Sequence, residues 1–107
     1  MHTEWTNRYY DAIFMCVERY RKMAENARSV IHTPNGATLT ADNMDDVLKM
    51  DDVLKFLDEF TREVPIVKLS RWLGYVQGVL IERGKTSVQA ERDWTRPLFR
   101  PLDFMEP

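Results

Sequence analysis

Tyr9-Tyr10-Asp11-Ala12-Ile13-Phe14-Met15-Cys16-Val17-Glu18-Arg19-Tyr20 is the stretch that settles how the chain folds. Apolar side chains recur in it at alternating steps of four and three, the period of an α-helix. The pattern runs outward over residues 3–31. Tyr9, Ile13, Cys16, Tyr20, Met23, Ala27 and Val30 make one stripe, and Tyr10, Phe14, Val17, Ala24 and Ile31 make a second beside it. Two adjacent stripes form a face too wide for a coiled-coil seam, so this helix is expected to line a core. Thr3 is placed to cap its start, and Glu18 stands four residues before Lys22, a favourable helical pair. His32-Thr33-Pro34-Asn35-Gly36 stops it, because Pro34 disfavours helical geometry at Thr33 and Asn35-Gly36 is turn chemistry.

The same reading predicts a second helix over 41–63. Thr40 is its expected N-cap, with Leu39 and Met44 spaced as a hydrophobic staple. Asp42, Asp45 and Asp46 crowd its first turns, where the helix dipole favours negative charge. Met50, Val53, Leu57, Phe60 and Val64 give the apolar stripe, and Pro65 closes it. Inside this helix the hexapeptide Met-Asp-Asp-Val-Leu-Lys occurs twice, at 44–49 and 50–55. Six residues turn a helix through about 600°, so the copies face about 120° apart. The Val53 copy is expected on the core with Leu57 and Phe60. The Val47 copy is expected to meet a different neighbour, such as another subunit.

A third helix is predicted over 66–83, with Ile66, Leu69, Leu73, Val76 and Leu80 as its core stripe and Gly84 as its C′ residue. Ser70, Gly74 and Gly78 line up every fourth residue, although each glycine costs a helix roughly 0.8–1 kcal/mol relative to alanine. A strip without side chains lets another helix come close, either the first helix of the same chain or a second copy across a self-association seam. A short fourth helix is expected over 87–93, with Thr86 and Gln89 at capping-box spacing. Arg-Pro-Leu then occurs twice, at 96–98 and 100–102, and two prolines argue against a regular helix. Residues 94–107 are therefore expected as an extended strap anchored by Leu98, Phe99, Leu102 and Phe104. The fold class is all-α: three main helices, a short fourth and an extended C-terminal strap, in one domain spanning 1–107.

The 107 residues suit one core. Hydrophobic residues at 44% and charged residues at 30% mark a globular composition. Cys16 is the single cysteine, so no intramolecular disulfide can form, and a reducing, cytoplasmic setting is expected. No apolar run reaches the roughly 20 residues of a membrane span. The net charge of −2 is uneven: residues 42–63 carry eight acids and three bases, whereas residues 64–107 carry seven bases and five acids. Overall acidity argues against duplex DNA as a partner.

Chemistry follows from what is present. His2, His32 and Cys16 have no metal-ligand spacing, so neither a metal nor a cofactor is expected. Too few histidines remain for a nucleophile triad. Gly84-Lys85-Thr86 matches the end of a P-loop, but Val79 stands where the loop needs its first glycine. Arg71, Arg92, Arg96 and Arg100, with Tyr75 and Trp94, could grip phosphates and stack a base. Alternatively the arginines pair with the acids of the second helix while Trp72 and Trp94 anchor the core. The enzymatic alternative is a small all-α divalent-metal nucleotide hydrolase built on those acids.

Lys68-Leu69-Ser70-Arg71-Trp72-Leu73-Gly74-Tyr75-Val76-Gln77-Gly78-Val79-Leu80 resembles a segment of small uncharacterised tailed-bacteriophage proteins, which share an Arg-Trp-Leu-Gly-aromatic-aliphatic-Gln-Gly core. The resemblance implies a phage or prophage accessory protein in the bacterial host cytoplasm. The expected role is non-enzymatic counter-defence. It would act as a homo-oligomer sequestering a signalling nucleotide, or by binding a host protein.

Overall fold

The computed structural model describes residues 3–31 and 41–105, and their side chains apart from those of 29–31 and 41–43. The described residues are helical and form no strand: α1 (Glu4–Ile31), α2 (Ala41–Leu57), α3 (Ile66–Glu82), α4 (Val88–Phe99) and a terminal 3-10 helix (Arg100–Phe104). The body measures 54 × 28 × 19 Å, its length set by the 28 residues of α1, about 42 Å at 1.5 Å each.

α1 starts where its cap was expected, with the Thr6 amide donating to Thr3 Oγ1 at 3.1 Å. Its apolar stripes bury Tyr10, Ile13, Cys16, Val17, Tyr20 and Ala24 against Met50, Val53 and Leu57 of α2 and Leu69, Leu73, Val76 and Leu80 of α3. The expected cap and staple at Thr40, Leu39 and Met44 lie partly outside the described residues. α2 ends at Leu57 rather than 63. Three-residue turns follow it, with the amides of Glu59 and Phe60 donating to the carbonyls of Phe56 and Leu57. The bend folds Phe60 back into the core and brings the Val64 carbonyl to the Tyr10 hydroxyl at 2.7 Å. A straight helix would have carried both residues past the end of the core.

α3 closes on a Schellman motif. Gly84 sits at φ +73°, the Lys85 amide donates to the Leu80 carbonyl at 2.9 Å, and the Gly84 amide donates to the Ile81 carbonyl at 3.0 Å. α4 is capped by Ser87, one residue beyond the expected Thr86. Ser87 is extended and its Oγ accepts from the Ala90 amide, while Gln89 turns instead to Asp93.

The expected strap is not extended. α4 continues through Pro97 to Phe99, and the 3-10 helix carries on to Phe104. Pro97 removes one amide from the ladder, which costs an interior helix about 3 kcal/mol or more. Here Pro97 and Asp93, four residues earlier, are both exposed, so the carbonyl left free faces water. Pro101 stands at the start of the 3-10 helix, where no amide is required. Tertiary contacts hold the segment: the Phe99 ring lies 5.3 Å from that of Tyr9, and Trp5 Nε1 donates to the carbonyl of buried Leu102 at 3.1 Å. Phe104, expected as an anchor, is 83% exposed.

Candidate functional site

α4 owes its position to one buried carboxylate. Glu91 is 4% exposed, the one buried charged residue among those described. Arg19 of α1 donates to both its oxygens, at 3.4 and 3.0 Å. Thr86 Oγ1 donates to it at 2.5 Å, and the Tyr20 hydroxyl bonds to it as well. Gln77 of α3 in turn donates to the Tyr20 hydroxyl at 2.7 Å. Burial opposes ionisation of Glu91, but these hydrogen bonds outweigh it and hold the carboxyl below the ordinary glutamate range. Burial pushes the neighbouring Cys16 thiol up to about 12, with the Glu91 charge adding to the shift, so Cys16 is an inert core residue. Trp94 closes the network, its ring 4.7 Å beneath the Arg19 guanidinium.

With Glu91, Trp94, Leu98 and Phe99 facing inward, Arg92, Arg96 and Arg100 fall on the opposite, exposed face, one helical turn apart. None of the three makes an ion pair with a described residue. Arg96 and Arg100 line a cleft of about 520 Å³ with Thr95, Phe99 and Asp103. On their other side they line one of about 410 Å³ with Pro97, Pro101 and Phe104. This face brings together three of the six residues expected at a ligand site.

The remaining three lie elsewhere. Trp94 is turned toward α1 by Arg19. Arg71 is exposed on α3. Tyr75, 54% exposed, lines a separate aromatic groove of about 480 Å³ with Phe56, Trp72 and Lys49. Its hydroxyl accepts from Lys49 at 3.3 Å, and its ring meets Phe56 edge-on at 5.7 Å. Trp72 is half-buried against Phe56 and Phe60, its ring 5.2 and 5.5 Å from theirs.

Gly74 and Gly78 have open space where a Cβ would be built. No described helix of the same chain uses them for close approach. Three acids of α2, and Asp58 just beyond its end, are tied to bases on other elements: Asp45 to Arg83 and Asp46 to Lys85, both at 2.7 Å, and Asp51 to Arg28 and Asp58 to Arg21, both at 2.9 Å. Val47, expected to await a second subunit, is 5% exposed within the single chain.

Sequence reasoning missed Arg19, Glu91 and Phe104. Glu91 left a signal: it stands three residues before Trp94 and seven before Leu98, on the apolar side of its own helix, where a carboxylate must find a partner. No described helix is long and apolar enough to cross a membrane. Among the described residues no group of three or more histidine, cysteine, aspartate or glutamate side chains is arranged to hold a metal ion. Comparison with protein-family models, with curated proteins and with solved structures returns no match for the chain.

Proposed function

We propose that the chain is a non-enzymatic accessory protein that binds a phosphate-bearing signalling nucleotide on the outer face of α4. The observation that carries this reading is the pair Arg96 and Arg100, exposed and one turn apart, lining shared clefts beside the open ring of Phe104. Guanidinium groups present planar forks that match phosphate oxygens, and an exposed phenyl ring offers a stacking platform for a base. Asp103 is the carboxylate on the cleft wall and favours a ligand that also offers a hydrogen-bond donor. The resemblance of residues 68–80 to phage proteins supplies the setting, in which withholding a nucleotide from its receptor blunts a host defence.

A thermal-shift series with cyclic dinucleotides and adenine nucleotides tests it. Ligand at 100 times its dissociation constant adds about 2.7 kcal/mol, a rise of several degrees for a domain of this size. The double variant R96A/R100A should melt normally without ligand and lose the shift. A melting temperature that no nucleotide moves removes the reading.

A second reading, capture of a host protein, is favoured by the aromatic groove of Phe56, Trp72 and Tyr75. Such rings dominate binding energy at protein interfaces. It predicts that Tyr75→Ala weakens the complex while R96A/R100A does not. The hydrolase alternative draws least support, because Asp45, Asp46 and Asp51 of α2 are engaged by Arg83, Lys85 and Arg28. Nucleotide left intact after long incubation with magnesium removes it.

A further inference from the structure

A groove of about 740 Å³ follows α1 from Asp11 to Asn26, flanked by Arg62 and Trp94. It runs along the helix for about 22 Å at 1.5 Å per residue, which is the footprint of another helix rather than of a small ligand. Its floor is apolar and open: Phe14 and Met23 are half-buried and Met15 is 50% exposed.

The order of the lining residues identifies the occupant. Read in reverse about the midpoint between residues 18 and 19, the α1 lining becomes its own complement. Phe14 falls opposite Met23, an aromatic ring against a thioether. Glu18 falls opposite Arg19, an acid against a base. Met15 falls opposite Lys22, whose hydrocarbon stem can cover it. We propose that this groove is a two-fold interface in which α1 of one protomer lies antiparallel on α1 of its partner. An isologous contact requires this self-complementarity; Arg19, which holds Glu91 through Nε and Nη2, meets Glu18 of the partner with its remaining nitrogen, so no like charges are set opposite one another. The face is distinct from the α4 clefts, so the pairing stands or falls independently of nucleotide binding. It is also distinct from the Ser70-Gly74-Gly78 strip on α3.

One helix pair of this length makes a small interface, so the dissociation constant is expected on the order of micromolar. Sedimentation equilibrium from roughly 1 to 500 µM, a range that brackets that affinity, should show the mass rising from 12.7 kDa to twice that value. Met15→Lys sets a like charge against Lys22 of the partner helix, and because the side chain is exposed it should keep the helical circular-dichroism spectrum while weakening the dimer about tenfold or more. The double variant M15C/K22C should cross-link between copies on oxidation. A chain that stays monomeric across the range overturns the proposal. So does a dimer that Met15→Lys leaves intact, or an M15C/K22C variant that forms no cross-link between copies.

Discussion

Where α2 and α3 meet α1 the contact is hydrocarbon. Met50, Leu69, Val76 and Leu80 are fully buried against Ile13, Cys16 and Ala24. Where α4 meets α1 the centre of the contact is a charge, Glu91 held by Arg19, with Thr86 and Tyr20 beside it and Trp94 over the guanidinium. The body is therefore stabilised by removing apolar surface from water, which is insensitive to pH and nearly so to salt. The α4 arm is fixed by a network whose value depends on every member being satisfied. The apolar contact of the body is non-directional, whereas the arm has direction: Glu91 dictates which face of α4 turns inward, and so which arginines face out.

The largest effect expected is in the body. Met50→Ala should cost about 2–4 kcal/mol, as for other fully buried side chains. Met44, in the equivalent position of the first hexapeptide copy, is 42% exposed, and its alanine variant should fall within about 0.5 kcal/mol of the parent in urea titration. Equal losses at the two methionines would break the contrast between a buried and an open copy.

Next comes the arm. Arg19→Ala strands a buried carboxylate and should cost about 2–3 kcal/mol, toward the lower end for a broken buried pair because Arg19 is itself a quarter exposed. The loss should be local, with hydrogen exchange rising in α4 before α2 or α3. pH gives an independent reading. Glu91 titrates below the ordinary value of 4.5 in the folded chain, so its contribution is present above that value and disappears as pH falls through the folded pKa. The parent should lose stability below about pH 4.5 by a component that Glu91→Gln lacks. Parallel pH curves for the two proteins would show that the carboxylate does not anchor α4.

The smallest effect is at the tip. Phe104→Ala should leave the melting temperature within about 1–2 °C, since an exposed ring contributes under about 0.5 kcal/mol. It should nonetheless weaken nucleotide binding. A large loss of stability would place the ring in packing rather than at an open cleft.

The body was legible because its helices repeat one signal many times. Ten of the twelve apolar residues named in the two stripes of α1 have described side chains, all of them buried or half-buried, and Ile13, Cys16, Tyr20 and Ala24 are completely buried. The tandem hexapeptide shows where periodicity alone falls short. Val47 and Val53 sit about 120° apart, yet both are buried, because they occupy the two edges of one stripe centred on Met50 and Leu57. Met44 and Leu48 fall outside that arc and remain exposed. The arm was misread because Pro97 and Pro101 were weighed as local breakers. Whether a missing amide matters depends on which side of the helix the orphan carbonyl faces, and that is fixed by Glu91 and Leu102, not by the prolines themselves.

Composition and spacing determined that this chain is an all-helical body around α1, with a break at Pro65 and a left-handed residue at Gly84, because these follow from steric preference and burial within a few residues. Tertiary structure decided the rest. It chose Arg19 as the partner of Glu91 across 72 residues of sequence, turned Trp94 inward and Arg96 and Arg100 outward, and left Phe104 in water. A charge finds its partner only through the packing of the whole chain, so no local pattern could have named the face on which the ligand is proposed to bind.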